Sequence, residues 1–427
     1  MFEAGGGAGG GAPRWYLKLT SSLYIATFSV RVAFAMLYVA LPKYLGDDIG
    51  YLEYALVLST WPLVEMVMVL RAGEVIDRTG RKATLTRNSL LAAALLALLG
   101  IADHPVWVAV VNGFMGIAAA GILVASLALM SDYAPHGKRG REMGVFQFVQ
   151  IFGWLFGFAA GGVLVEVLDQ VLGAVFALSA LLCLVAAVYA WRNVTEPRVH
   201  RFTSDHEGWS HLLRVVRQRS VVLLVMPWFV VYLLIGSMFT FVFKASFEEL
   251  QLTGFQLTGL LVMGGGVILA TLVVFDHLSD RFGRVPVMAV GAVGMLCLMV
   301  TVGMLISTAP GDGDQDQLSE HLGAYLVPLA VSAFLAGAFA PSALAALVDV
   351  SAQRRKGMTM GVYSFAISLA MAVGPVVSGG LIDTWGGRGY LAFLAGCGAM
   401  VLLLVALRWS DARGEAPLPD GPRLDKP

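Results

Sequence analysis

The sequence predicts an all-α membrane protein whose twelve transmembrane helices form two pseudo-symmetric six-helix bundles. Three observations lead there. Of 427 residues, 58% are hydrophobic and 14% charged, with a mean hydropathy of +0.76; a soluble chain carries about 25% charged residues. The apolar residues come in blocks of about 20, enough to cross a hydrocarbon core of about 30 Å as helix. Helix is required because lipid offers no partner to a bare backbone N–H, and the blocks lack the alternation of barrel strands. Finally, a charged connection occurs twice in register. Asp77, Arg78, Gly80 and Arg81 are followed 203 residues later by Asp280, Arg281, Gly283 and Arg284.

The chain divides accordingly. Residues 1–14 form a Gly- and Ala-rich tail without the basic start and apolar core of a cleaved signal peptide. Residues 15–191 hold spans at 18–41, 51–71, 84–102, 106–130, 144–165 and 172–191. A polar linker covers 192–220. In it Trp209, Leu212, Leu213 and Val216 have helical spacing beside Arg214, Arg217 and Arg219, which predicts a basic helix on an anionic leaflet. Residues 221–410 hold spans at 221–243, 255–275, 286–306, 325–347, 361–382 and 389–408, and 411–427 form a second tail.

Charge orients the chain. The cationic loops at 71–87, 138–141, 192–219, 281–284 and 354–356 and both tails fall on one side of this arrangement. Positive loops stay inside, so a multi-pass protein of the cell membrane with both termini cytoplasmic is expected. A second repeat strengthens the duplication: Asp132, Gly144 and Gly157 match Asp349, Gly361 and Gly374 at an offset of 217. The loop 307–323 accommodates the change of offset. Paired six-span repeats are a transporter architecture, with the site near the midplane between them.

Other classes lack their signals. A net charge of zero argues against nucleic acid. There is no phosphate-binding loop for ATP, and no nucleophile–base arrangement, so no enzyme is expected. Cys183, Cys297 and Cys397 each lie in a separate apolar block and read as small hydrophobes. His206 and His211 sit with Asp205 and Glu207 in the polar linker and read as solvated; neither metal nor cofactor is expected.

The first charged connection resembles the signature Gly-x-x-x-Asp-Arg-x-Gly-Arg-Lys of the major facilitator superfamily, filled here by Gly73, Asp77, Arg78, Gly80, Arg81 and Lys82. The resemblance covers about residues 15–410. It implies a cytoplasmic gate in which Asp77 and Arg78 join a charge cluster, with Asp132 as a partner for the arginines and the second copy, Asp280, Arg281, Gly283 and Arg284, contributing. Span five carries Gly153, Gly157, Gly161 and Gly162 in a pattern similar to the antiporter signature of the family's exporters, with Phe158 where a proline is expected. Span eleven has a related pattern in Gly374 and Pro375. Small residues every fourth position also serve close helix packing in lipid. Exporters of this kind often carry an arginine where this chain has Asn112, so no proton relay is carried over to that position; Asn112 itself is expected among the substrate or coupling residues.

Two ionisable residues sit inside spans. Arg31 lies near the middle of span one, where a charge costs about 2.5–3.5 kcal/mol on insertion scales. Tyr24, Phe28 and Tyr38 share its face. Trp228 and Tyr232 begin a similar stripe in span seven, which Phe239 continues. By family analogy, spans one and seven line the central path. Glu65 in span two is the candidate to neutralise Arg31. Pairing would hold the carboxylate ionised, and separation would let it take up a proton. Gln147 and Gln150 in span five serve either substrate or a neighbouring helix. Together with the resemblance, these residues lead to the expectation of a secondary transporter working by alternating access, coupled to protons and exporting a small organic molecule. A proton-coupled importer of a sugar or organic acid is the alternative, and a membrane sensor or lipid scramblase the alternative of another class. Each half has its partner in the same chain, so a monomer is expected.

Overall fold

The computed structural model describes residues 14–46, 49–102, 104–133, 139–196, 219–248, 252–308, 315–350 and 356–414; the expected basic helix at Trp209 to Val216 and the linker histidines lie outside them. The helices are α1 (Arg14–Leu45), α2 (Tyr51–Thr79), α3 (Arg81–Leu99), α4 (Pro105–Tyr133), α5 (Arg139–Val167), α6 (Gly173–Asn193), α7 (Arg219–Glu248), α8 (Gly254–Phe282), α9 (Arg284–Ser307), α10 (Gln315–Ala336), α11 (Phe339–Val350) and α12 (Lys356–Gly414). No strand occurs among the described residues.

Among the described residues, ten stretches are long and apolar enough to cross a membrane. The last, Phe365–Ser410, has 46 residues, or roughly 70 Å of straight helix, room for two crossings. Its two parts meet at Gly386, with φ 63° and ψ −158°. Arg81, Lys82 and Arg87 make α3 more polar than its neighbours. The set is consistent with twelve spans. Trp107 (61% exposed), Val327 (70%) and Leu181 (54%) point away from the core, as lipid-facing positions require.

The chain forms two compact units. The first takes the described residues within Met1–Asp205, Gly236–Gly265 and Met371–Asp383; the second takes those within His206–Ile235, Gly266–Ala370 and Thr384–Pro427. Helices α7, α8 and α12 thus contribute to both.

In the first unit α1 packs on α5 and α6, α2 on α4, and α3 on α4 and α6. Small residues set these approaches. A Cβ on Gly157 would lie 2.6 Å from both the Ala35 Cβ and the Val32 carbonyl oxygen; one on Gly153 would lie 2.8 Å from the Arg31 Cβ, and one on Gly161 3.1 Å from the Val39 Cβ. The glycines read as a packing stripe therefore face α1. Lipid gives no hydrophobic drive between helices, so such backbone proximity supplies the dispersion contacts that hold them. On α4, a Cβ on Gly116 would lie 2.5 Å from the Trp61 carbonyl oxygen and 2.8 Å from the Glu65 nitrogen, which brings α4 close behind the Trp61–Glu65 turn.

Pro62 breaks the ladder of α2 at that turn, because it lacks the N–H that would reach the Leu58 carbonyl. The buried Asn112 amide donates to the Val57 and Leu58 carbonyl oxygens at 2.9 and 3.4 Å and reaches the Thr60 hydroxyl at 3.3 Å. Asn112, an expected substrate or coupling residue, thus spends its donors on the turn ahead of the proline, which includes the Leu58 carbonyl that Pro62 left short.

The charged connections also repeat in conformation. Gly80 has φ 89° and Gly283 φ 88°, a left-handed region costly to any side chain. At Gly80 the Glu196 carboxylate accepts from the Arg81 and Lys82 backbone N–H groups at 2.7 and 2.8 Å and caps α3. A Gly80 Cβ would lie 3.2 Å from that carboxylate. Gly80→Ala is expected to cost about 1–2 kcal/mol, read as a lowered melting temperature in detergent; an unchanged temperature would contradict the strain.

In the second unit α9 packs on α10 and α11. Cβ atoms on Gly291 and Gly294 would lie 2.3 Å from the Phe339 and Ala336 nitrogens. Trp228 of α7 joins this core with its ring 5.3 Å from Phe339 and 5.5 Å from Tyr363.

Candidate functional site

Arg31 and Glu65, both half-buried, lie within the first unit, and each has a neutral partner. The Arg31 guanidinium donates twice to Gln150 Oε1, from Nε at 3.0 Å and from a terminal nitrogen at 2.6 Å. Gln150 in turn donates to Gln147 Oε1 at 2.7 Å, so the two amides read from α5 form one chain with Arg31. The guanidinium carbon stands 5.9 Å from the Trp154 ring centroid, within cation–π reach. Glu65 Oε2 accepts from the Trp61 indole N–H at 2.9 Å. Arg31 and Glu65 feel each other's charge.

Aromatic rings close round this polar group. Tyr38 stacks on Trp61 at 5.5 Å and on Phe239 of α7 at 5.1 Å, and lies 5.9 Å from Trp154. Phe158 lies 5.7 Å from Phe239 and 5.4 Å from Phe243. The phenylalanine standing at the signature's proline position is therefore a packing ring beside α7. Phe28 turns to α5, with its ring 5.9 Å from Phe152 and 5.8 Å from Phe156. The Tyr24 hydroxyl donates to Glu142 at 3.4 Å. Trp228 and Tyr232 belong to the second unit. There Tyr232 hydrogen-bonds Tyr363, and the buried Trp228 indole N–H finds no acceptor among the described residues.

Trp61 and Glu142 were not among the residues singled out from sequence. Trp61 had a signal, since it precedes Glu65 by four residues and so shares its helix face. Glu142 had none, because its partner is 118 residues away.

At the charged turn, Arg81 forms an ion pair with Asp132, joining the start of α3 to the end of α4. Arg78 and Arg281 are exposed, and Arg281 lies 5.5 Å from the Phe282 ring. Lys82 and Arg284 are half-buried. The side chains of Asp77 and Asp280, and the surroundings of Gly73, lie outside what is described. Gly374 and Pro375 are buried, and a Cβ on Gly236 of α7 would lie 3.1 Å from the Pro375 Cδ.

At the opposite end of the helices the first unit holds another group of contacts. The Asp383 carboxylate accepts from the Tyr51 and Leu52 backbone N–H groups at 3.2 and 2.9 Å. Glu166 accepts from the Gly254 N–H at 2.8 Å. Lys244, 1% exposed, pairs with Glu248 and sits 5.3 and 5.9 Å from the Tyr51 and Tyr54 rings.

Comparison with known proteins gives a consistent picture. The family model described as Major Facilitator Superfamily matches residues 23–313 and 269–426. An uncharacterized MFS-type transporter of Mycobacterium tuberculosis is 23% identical over 404 residues, covering 92% of this chain and 84% of its own. Multidrug resistance protein 1 of Bacillus subtilis is 22% identical over 348 residues, covering 79% of this chain and 81% of its own. Among solved structures, the nucleoside transporter NupG superposes with a TM-score of 0.67 at 14% identity, covering 92% of this chain and 98% of that one.

Proposed function

The chain belongs to the major facilitator superfamily, and from that premise we propose that it exports a small amphipathic or anionic organic solute in exchange for protons. The carrying observation is the half-buried Arg31 and Glu65, each hydrogen-bonded to a neutral side chain. A neutral partner satisfies a donor or an acceptor but forms no ion pair with the charge, in a medium where charge is costly. A solute anion answers Arg31 and a proton answers Glu65. Coulomb coupling between the two makes each binding event sensitive to the other. The surrounding rings of Trp61, Trp154, Tyr38 and Phe239 favour an apolar solute body. Export is supported by the glycine pattern of α5 and by the name of the Bacillus relative. We place the protein in the cell membrane with both termini and the charged Gly80 turn in the cytoplasm, working as a monomer; the cationic bias of the loops supports that orientation.

The test is flux in proteoliposomes with and without an imposed pH gradient. The wild-type protein is expected to drive solute against its gradient when the receiving side is acidic. Glu65→Gln keeps the acceptor for Trp61 but removes the titratable charge. Its gradient-driven flux is expected to fall to the level seen without a gradient, while solute–solute exchange continues. A variant that remains gradient-driven would remove Glu65 from coupling.

A further inference from the structure

We propose that Glu166 and Asp383 form a crossed pair of latches that hold the helix ends opposite the Gly80 turn together, and that both release when that face opens. The proposal rests on the alternating-access reading above. Its first support is geometric. The first N–H groups of a helix have no partner within it. Gly50, which precedes α2, supplies no side-chain cap; Asp383 of α12 caps α2 from 332 residues away, through Tyr51 and Leu52. At α8, Thr253 and Gln256 cap each other's backbone N–H groups at 3.2 and 2.9 Å, and Glu166 of α5 takes the Gly254 N–H that this local cap leaves.

Its second support is register. Asp383 follows Glu166 by 217 residues, and Gly254 follows Tyr51 by 203, the two offsets that relate the halves of the chain. Each repeat therefore lends one carboxylate to the other repeat's helix and receives one in return. The same contact has been built twice, which a chance surface hydrogen bond would not reproduce.

Its third support is the fit around each latch. A Cβ on Gly254 would lie 2.1 Å from the Gly162 carbonyl oxygen, and one on Gly162 2.3 Å from Thr258 Oγ1. A Cβ on Gly379 would lie 2.7 Å from the Tyr51 carbonyl oxygen and 3.0 Å from the Leu52 Cα. Thr258 donates to the Ala159 carbonyl at 3.0 Å. Backbone meets backbone at both places, so parting α5 from α8, or α2 from α12, uncovers the cap as well as the seam. A carboxylate at a helix N-terminus also gains from the helix dipole, and separation returns both partners to solvent. Lys244, clasped by Tyr51 and Tyr54, seats α7 on the same end of α2.

The test is labelling by a membrane-impermeant maleimide applied to that face. Cys183, Cys297 and Cys397 are first replaced, and Leu257→Cys serves as the reporter, a position of α8 1% exposed within the first unit's core. Glu166→Ala and Asp383→Ala are each expected to raise its labelling rate about threefold to tenfold, and the double variant by more than either. Ala118→Cys, 0% exposed in α4, should stay unlabelled, since only unfolding uncovers it. If an alanine variant unfolds, Glu166→Gln and Asp383→Asn keep the shape without the charge, and a rise of about twofold is expected from the lost dipole interaction. Gly379→Leu wedges the seam mechanically and marks the signal of an open face. Unchanged labelling in the carboxylate variants, beside a raised rate in Gly379→Leu, would overturn the latches and leave alternating access standing. No rise in any variant, Gly379→Leu included, would count against alternating access itself and against the latches with it.

Discussion

Replacing Arg31 with alanine is expected to weaken binding of anionic solutes by about tenfold to a hundredfold, the equivalent of one or two charged hydrogen bonds, and to change neutral solutes of similar shape by no more than about twofold. The asymmetry follows from the geometry. Gln150 takes a two-donor bond from the guanidinium at 3.0 and 2.6 Å, and a carboxylate or phosphate group competes for the same planar fork with the added strength of charge. Alanine removes the fork and leaves Gln150 Oε1 without its donor, so part of the loss is structural and falls on every solute alike. Comparing matched anionic and neutral solutes separates the two contributions. Arg31→Lys should restore little, because an ammonium offers a point charge in place of two parallel donors. Equal losses for anionic and neutral solutes would reduce Arg31 to a packing residue beside Trp154.

A second large effect is expected at Gly157. Leucine there must enter a space where even a Cβ would be 2.6 Å from Ala35 and from the backbone of Val32. Overpacking of a core costs about 1–3 kcal/mol when side chains can yield; here the obstacle is the backbone of α1, so the helices must part. Gly157→Leu is expected to lose most of the folded protein recovered in detergent and to lower the melting temperature of what remains. Gly259→Leu is the matched control, since nothing lies within 4 Å of a Cβ at that position, and it should behave as wild type. Similar yields from both variants would mean that α1 and α5 are not held by this contact. Because Gly153 and Arg31 share the same seam, partial retention with lost anion selectivity is the intermediate outcome to look for.

The architecture was legible because it depends on quantities a sequence carries directly: block length against bilayer thickness, charge asymmetry and a repeat offset. The offset of 203 residues brought Gly80 and Gly283 into correspondence, and their φ values of 89° and 88° agree. The α5 glycine stripe was likewise visible as spacing. What spacing could not supply was the partner. Arg31 was expected against Glu65, yet the hydrogen bonds of Arg31 go to Gln150 and those of Glu65 come from Trp61. Which neighbour a side chain meets depends on how each helix is rotated about its axis and how closely the axes approach, and Gly153 and Gly116 set both through contacts between distant segments. Asn112 looked like a polar residue awaiting a solute, but its amide donates to the Val57 and Leu58 carbonyls ahead of Pro62. Glu166 and Asp383 drew no attention as isolated acids at span ends. Only the combination of both offsets with the observed helix starts gives them a joint meaning.

Three helices change allegiance partway along: α7 between Ile235 and Gly236, α8 between Gly265 and Gly266, and α12 twice, between Ala370 and Met371 and between Asp383 and Thr384. Each change falls at or near a residue that weakens or interrupts a helical rod: Gly236, the run Gly264 to Gly266, the Gly374–Pro375 pair a turn beyond the third crossing, and the break at Gly386 beyond the fourth. Softness is thus written into the spanning helices as well as the loops: alanine at Gly264 or Gly266, where nothing lies within 4 Å of a Cβ, would firm the α8 rod by about 0.5–1 kcal/mol without touching a single polar contact.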